Sequence, residues 1–395
     1  MKFASRMECL QDKALLNAME LTETEDMISF SAGFPSPETY PVEAIKKSFD
    51  QVLDREGKEA LSYCSTSGYG KLREIIAQRM NDKFGLSYRT GEVVITSGSQ
   101  QALDMSSMLF INKGDVVLFE TPSYLGAVNA LRAYEAELVA LPTDGEGLIL
   151  DALQKALDQY GDRVKLIYVI PDFQNPTGRS WSRSRRKAFV EFISAYEIPV
   201  IEDAAYSELS FEDKLEKPLS YYDKKGQVVY VGTFSKTFCP GLRVAWLCAR
   251  ENLMEKYLIL KNAADLSSSS IAQRQMAYYL MHNDLDAHIK WITGLYKERR
   301  DCMMAVIDRE FPKEAHYVIP KGGLFIWLEL PENKDSRELL RRAMAEKVAF
   351  IPGGSFYPSS VKNNELRLNF SNLSHEDIEK GMTILGRLTR AFLAE

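Results

Sequence analysis

Continuously apolar runs punctuate the first two-thirds of the chain, at residues 93–96, 116–120, 138–141, 164–170, 199–203, 228–234 and 244–249. Several lack the polar alternation of a half-exposed strand, as expected where helices cover both faces of a sheet. Between the runs, residues 100–110, 148–159 and 183–196 carry helical spacing. This alternation predicts an α/β unit, a mainly parallel seven-stranded sheet between helices. Beyond Arg250 the texture changes. Residues 251–308 read as mostly helical with an interruption at 265–270; short strands follow at 317–319, 324–330, 349–351 and 365–370, and a last helix at 375–393. A smaller α+β domain fits that pattern. Pro35, Pro37 and Pro41 make an extended connector, because a residue before proline is driven out of the helical region. The expected division is a large domain over 46–285 and a small domain built from 1–45 and 286–395.

Composition narrows the partners. The chain has 395 residues, 45% hydrophobic and 26% charged, with a formal net charge of −6. That length gives room for two domains. The acidic balance offers no footprint for nucleic acid, and no Lys/Arg block suggests an anionic membrane surface. No apolar run approaches the roughly 20 residues of a membrane span, and residues 1–6 do not open a signal peptide. The cysteines (Cys9, Cys64, Cys239, Cys248, Cys302) are scattered without a CxxC pair, and the histidines form no ligand pattern with them. Reduced thiols, a cytoplasmic location and no metal site are expected.

The chemistry concentrates at the ends of the apolar runs, where open α/β sheets collect ligands. The segment Gly232-Thr233-Phe234-Ser235-Lys236-Thr237-Phe238-Cys239-Pro240-Gly241-Leu242-Arg243 places a lysine just past a buried strand. Such a lysine is costly unless neutralised or covalently used. Thr233, Ser235 and Arg243 around it are groups a phosphate needs. Together they suggest a phosphorylated aldehyde held as a Schiff base, that is, pyridoxal 5′-phosphate.

Other strand ends add to this. Ser97-Gly98-Ser99-Gln100-Gln101-Ala102 is a glycine turn opening a helix; its free N–H groups and the Ser99 hydroxyl suit a phosphate, though an ordinary N-cap accounts for it equally well. Tyr124 can stack on a planar ring or simply pack. Asn175, held extended before Pro176, can bond a ring hydroxyl or sit in a plain turn. Asp203 ends a buried strand and needs a partner; a protonated pyridine nitrogen is one, and the pair makes the ring an electron sink. Tyr206 can reach the ring's phenolic oxygen. Arg367, on an alternating strand, can clamp an α-carboxylate with a bidentate guanidinium, or can be an exposed strand charge.

With these residues in place, the chain resembles the fold-type I, class I/II PLP-dependent aminotransferases. It is similar to the branch of 2-aminoadipate and kynurenine aminotransferases and the aminotransferase half of MocR regulators. The resemblance runs nearly end to end. It is carried by Ile28-Ser29-Phe30-Ser31-Ala32-Gly33-Phe34-Pro35, Tyr63 with Gly68-Tyr69-Gly70-Lys71-Leu72-Arg73, Thr96-Ser97-Gly98-Ser99-Gln100-Gln101-Ala102, Asn175-Pro176-Thr177-Gly178, Asp203-Ala204-Ala205-Tyr206, the Lys236 segment and Arg367. The resemblance implies that Lys236 carries the internal aldimine and shuttles the proton. It implies that Asp203 pairs with the pyridine nitrogen, that Asn175 and Tyr206 bind the ring oxygen, and that Tyr124 stacks on the ring. Ser99, Gln100, Thr233, Ser235 and Arg243 hold the phosphate, joined by Tyr63 from the neighbouring subunit of a homodimer. Gly33, Asn175 and Arg367 meet the substrate. The implied reaction is ping-pong transfer of an amino group between an L-amino acid and a 2-oxo acid.

One departure bears on the substrate. Relatives that accept long dicarboxylic amino acids often carry an arginine on the N-terminal helix, where this chain has Lys13-Ala14-Leu15-Leu16-Asn17, with Arg6 nearby. Leu15 and Leu16 favour an apolar or aromatic side chain. Residues 267–270 either border the partner's site or form a plain connector. Two other readings use the same cofactor constellation: a PLP-dependent C–S β-lyase, and a non-catalytic PLP-binding regulatory protein. The latter needs a DNA-binding module, and no extension with a basic face precedes Ile28.

Overall fold

The computed structural model describes residues 1–8, 10, 26–212, 214–358 and 362–395. The seven apolar runs all become strands of one sheet. In chain order the strands are β1 (Ile28–Ser29), β2 (Val93–Ser97), β3 (Val116–Thr121), β4 (Glu137–Asp144), β5 (Gly147–Leu148), β6 (Val164–Val169), β7 (Val200–Asp203), β8 (Val228–Thr233), β9 (Val244–Cys248), β10 (His316–Tyr317), β11 (Phe325–Glu329), β12 (Val348–Ala349), β13 (Ile351–Pro352) and β14 (Glu365–Asn369). The large sheet has the order β2-β9-β8-β7-β6-β3-β4-β5. Within it β4, β3, β6, β7 and β8 are mutually parallel, while β9 is antiparallel to both β8 and β2.

The eighth strand is an addition to the seven expected. Asp144 Oδ1 accepts the N–H groups of Glu146 (2.8 Å) and Gly147 (3.0 Å), and that turn folds β5 back onto the end of β4. Gly147 has φ +126°, and a Cβ there would lie 2.6 Å from the Trp181 ring. A two-residue edge strand made by a side-chain-closed turn leaves no hydrophobic period to read.

Both faces of the sheet are covered, which is why its strands read as unbroken apolar runs. Useful helices, in chain order, are α1 (Val42–Ala60), α2 (Gly70–Phe84), α3 (Ser99–Phe110), α4 (Leu125–Arg132), α5 (Leu150–Tyr160), α6 (Arg183–Ile193), α7 (Leu219–Tyr222), α8 (Glu251–Asp265), α9 (Ser270–His282), α10 (Leu285–Glu310), α11 (Ser336–Ala345) and α12 (His375–Leu393). On β3, Val116 and Leu118 pack with Leu153 and Leu157 of α5 and Phe189 and Ile193 of α6. The alternate residues Val117 and Phe119 pack with Leu103 of α3 and Leu131 of α4. No helix among the described residues is long and apolar enough to cross a membrane.

The later part of the chain forms a four-stranded antiparallel sheet, β10-β11-β14-β13, flanked by α10 and α12. The segment after residue 26 joins it: β1 pairs in parallel with β12, and the Asn369 N–H donates to the Phe30 carbonyl (2.9 Å). This brings β14 and residues 30–34 against the carboxyl edge of the large sheet.

One buried ion pair fixes the segment that follows β6. Arg186 of α6, fully buried, donates through Nη2 to Asp172 Oδ1 (2.5 Å) and the Pro171 carbonyl (3.0 Å), and through Nε to the Trp181 carbonyl (3.2 Å). Removing one partner strands the other charge in the core, at a cost of about 3–5 kcal/mol. Arg186→Met is therefore expected to lower the unfolding free energy by about 3 kcal/mol or more, read as a drop in the denaturant midpoint at unchanged slope.

Candidate active site

Strand direction decides which residues meet. Loops leaving the carboxyl ends of β2, β3, β6, β7 and β8 carry Ser99 and Gln100, Tyr124, Asn175, Asp203 with Tyr206, and Lys236 respectively. Because β9 runs the other way, the residue before it, Arg243, arrives at that same edge, beside the end of β8 and the turn after β2. Arg367 comes from β14. The result is one cavity of about 230 Å³ lined by every sequence-derived candidate except Tyr63. A larger hollow, about 500 Å³, lies along residues 172–183 and 207–216. Its ion pairs Arg183–Glu216 and Lys321–Glu212 lie at the surface, and it gathers none of the sequence-derived candidates.

One end of the cavity is a set of donors. Gly98, at φ +81°, lets the chain turn from β2 into α3, and a Cβ on it would lie 2.1 Å from Arg243 Nη2. Only glycine admits the guanidinium there. Thr233 Oγ1 donates to Ser235 Oγ (2.9 Å) and accepts the Ser235 N–H (3.1 Å). Gln100 Nε2 donates to the Gly126 carbonyl (2.8 Å), so its amide braces the helix start. The Arg243 guanidinium has no carboxylate partner among the described residues. Hydroxyls, a helix start and an unmatched guanidinium together suit an anion.

The centre holds Lys236 and Asp203. Lys236 Nζ donates to the Gly33 carbonyl (2.8 Å). Burial, seconded by the Arg367 charge, lowers its pKa to about 8, with Asp203 pulling the other way. Asp203 is buried; Oδ2 accepts from the Tyr168 hydroxyl (2.9 Å) and Oδ1 from the Ala205 N–H (3.3 Å). Burial raises its pKa to about 6, against those hydrogen bonds and Lys236. Burial likewise pushes the Tyr124 phenol up to about 12 and the Tyr206 phenol higher still.

At the far end, Arg367 is only 5% exposed. The exposed-charge alternative for this residue is thereby overturned, because both faces of β14 are covered. Its Nη1 donates to Asn175 Oδ1 (2.8 Å) and its Nη2 to the Ser31 carbonyl (2.6 Å), with the guanidinium over the Phe325 ring at 4.4 Å. Among the described residues Nε has no partner, and no acidic residue neutralises the group. Burial lowers its pKa to about 10. Asn175 Nδ2 in turn donates to the Tyr206 hydroxyl (3.4 Å).

Tyr63 is 88% exposed and does not line the cavity of its own chain. The stretch Lys13 to Asn17 lies outside the described residues; Arg6 sits beside Tyr134 and Glu135, not at the cavity. Two contributors escaped the sequence reading. Ser31 acts through its carbonyl, which no side chain announces. Tyr168 lies within an apolar run, where a buried hydroxyl in need of a partner is the available signal.

Comparison with known proteins agrees with this geometry. The family model described as aminotransferase class I and II matches residues 25–385. Aromatic-amino-acid aminotransferase 1 of Thermococcus litoralis is 37% identical over 383 residues, 96% of this chain and 92% of its own length. Two solved structures, each 35% identical and covering 99% of this chain and 98% of theirs, superpose closely. They are the multiple substrate aminotransferase of Thermococcus profundus (TM-score 0.93) and the α-aminoadipate aminotransferase of Thermus thermophilus complexed with N-(5′-phosphopyridoxyl)-L-leucine (TM-score 0.92).

The lowered pKa of Lys236 is directly measurable. An ordinary lysine holds its proton to about pH 10.4, whereas Lys236 should be half deprotonated near pH 8. Competitive labelling of the cofactor-free protein with a small amine reagent should give Lys236 a reactivity midpoint near pH 8. A reactivity midpoint at the ordinary lysine value of about 10.4 would contradict this.

Proposed function

The chain belongs to the class I and II aminotransferases, and on that premise we propose how its cavity divides the work of a pyridoxal-phosphate-dependent amino transfer. The observation that carries the reading is the meeting of a pKa-lowered lysine, a buried carboxylate and an uncompensated arginine in one cavity. The cavity fits the cofactor. Arg243 without a carboxylate, the Thr233–Ser235 hydroxyl pair and the α3 start await an anion. Asp203, protonation-prone when alone, is relieved by a cationic ring nitrogen.

Ser99, Gln100, Thr233, Ser235 and Arg243 would hold the phosphate, Asp203 the ring nitrogen, Asn175 and Tyr206 the ring oxygen, and Tyr124 a ring face. The bound cofactor supplies an aldehyde that condenses with amines and a ring that absorbs the electron pair left at the substrate's Cα. Lys236 Nζ, poised near neutral pH, takes a proton at one carbon and returns it at another. Its bond to the Gly33 carbonyl gives the amine a fixed resting place between those transfers. Arg367, unpaired at Nε and backed by Asn175 and Ser31, binds the α-carboxylate and so orients the Cα–H bond.

The favoured donor is an L-amino acid with an apolar or aromatic side chain. The cations lining the cavity are Lys236, Arg243 and Arg367, and the roles above occupy all three. None is left, among the described residues, for a second carboxylate. The aromatic-amino-acid relative points the same way.

The same reading makes the protein a homodimer in which Tyr63 serves the partner's phosphate site. Leu61 (74%) and Tyr63 (88%) are exposed beside a loop bearing exposed Leu266 (51%), an apolar patch suited to a second copy. It also keeps the large domain at 46–285 and the small domain at 1–45 with 286–395, supported by the β1–β12 pairing. A cytoplasmic location is supported by the unpaired state of the described cysteines.

Single-turnover spectroscopy of the cofactor-loaded enzyme with a panel of amino acids tests the reaction. Conversion of the cofactor to its amine form, with release of the matching keto acid, is expected. Pyruvate and ammonia with the aldehyde form restored would indicate the β-lyase instead. Aromatic donors should exceed 2-aminoadipate in kcat/KM by about 100-fold or more, because the second carboxylate would enter the cavity without a cation to meet it. Arg367→Ala should raise KM for every donor about 100-fold; an unchanged KM across the panel would remove Arg367 from carboxylate binding.

A further inference from the structure

Behind the phosphate end of the cavity lies a polar cluster that none of the roles above uses. Its centre is Lys261 of α8, whose side chain is fully buried. The ammonium spends its donors on Asp265 Oδ1 (2.6 Å), Asp265 Oδ2 (2.8 Å) and Ser268 Oγ (2.9 Å). Asp265 then reaches the turn between β2 and α3 from behind. Its Oδ2 accepts from Gln101 Nε2 (2.8 Å) and from Ser97 Oγ (3.3 Å). Gln101 Oε1 closes the loop by accepting the Ser97 N–H (2.8 Å). The clamp therefore grips residues 97 and 101, and Ser99 and Gln100 lie between them, facing the cavity.

The second arm runs to the exposed loops. Ser97 Oγ lies 2.9 Å from Ser268 Oγ. The Ser268 carbonyl accepts from Gln273 Nε2 (2.9 Å) and the Cys64 thiol (3.5 Å), and Gln273 Oε1 accepts the Tyr69 N–H (2.8 Å). Immediately past Asp265, Leu266 takes φ +59°, a conformation a leucine adopts only when its surroundings impose it.

Stability alone is a poor reason for this arrangement. An ion pair built on a buried lysine gains little over apolar side chains of the same volume, because the ammonium must be desolvated, and here its carboxylate partner stays 26% exposed. What such a pair does supply is direction, since three fixed donors and two fixed acceptors allow few alternative packings. We infer that Lys261 and Asp265 are positioning residues for the phosphate cradle: they hold the 97–101 turn in the conformation that presents Ser99 and the start of α3 to the phosphate. The same cluster ties that turn to the loop bearing Tyr63. This inference rests on the reading of the donor-rich end as a phosphate site.

The test compares two ligands that differ only in that group. Cofactor-free wild-type protein, Lys261→Met and Gln101→Leu are titrated with pyridoxal 5′-phosphate and with pyridoxal by quenching of tryptophan fluorescence. Gln101→Leu cuts the clamp while leaving the Lys261–Asp265 ion pair intact, so it serves should Lys261→Met not fold. Each variant is expected to bind pyridoxal phosphate about tenfold more weakly, with pyridoxal binding unchanged. A general structural weakening would lower both affinities together, and that result overturns the inference, as does a wild-type preference that survives in every folded variant. Wild-type protein that does not prefer the phosphorylated ligand overturns the phosphate-site reading itself, and this inference with it.

Discussion

The structure depends on keeping Lys236, Asp203 and Arg367 out of water around one cavity without letting them neutralise one another. Burial drives all three toward their uncharged forms. Lys236 does not bond Asp203; its proton goes to the Gly33 carbonyl. Arg367 meets carbonyl oxygens rather than carboxylates. Such an arrangement is unfavourable in the empty protein, and a ligand with an aldehyde, a basic ring nitrogen, a phosphate and a carboxylate relieves it.

The fold meets this requirement through one reversed strand and one borrowed element. With every strand of the large sheet parallel, Arg243 would sit at the opposite edge from Lys236. The reversal of β9 returns it to the shared edge, and Gly98 leaves space for its guanidinium. Arg367 belongs to a different sheet, and it reaches the cavity because residues 28–30 bridge β12 and β14. The apolar cover on both faces of the large sheet makes this edge rigid, and a rigid edge is what lets buried charges stay unpaired.

Much of this was legible from residue order. Lys236 was conspicuous because a lysine ending the apolar run 228–234 contradicts its surroundings, and Asp203 for the same reason. The strands were legible because double-sided burial leaves continuous apolar runs. Arg367 was ambiguous: in Glu365-Leu366-Arg367-Leu368 the alternation suggests an exposed face, and only the cover over β14 shows otherwise. Lys261 was invisible. It follows Leu258-Ile259-Leu260 in a helix where a lone lysine reads as part of the solvated face, and its burial depends on a loop, 265–270, that read equally well as a plain connector. Contacts made by main-chain carbonyls, such as those of Ser31 and Gly33, leave no mark in side-chain identity at all.

The central claim is that Lys236 is the residue that holds the cofactor's aldehyde. Treating the cofactor-loaded enzyme with borohydride, digesting it and sequencing the modified peptide tests this most directly. The account predicts a single phosphopyridoxyl label, on Lys236, and none in a Lys236→Ala protein. A label on any other lysine, or undiminished labelling of Lys236→Ala, would contradict it.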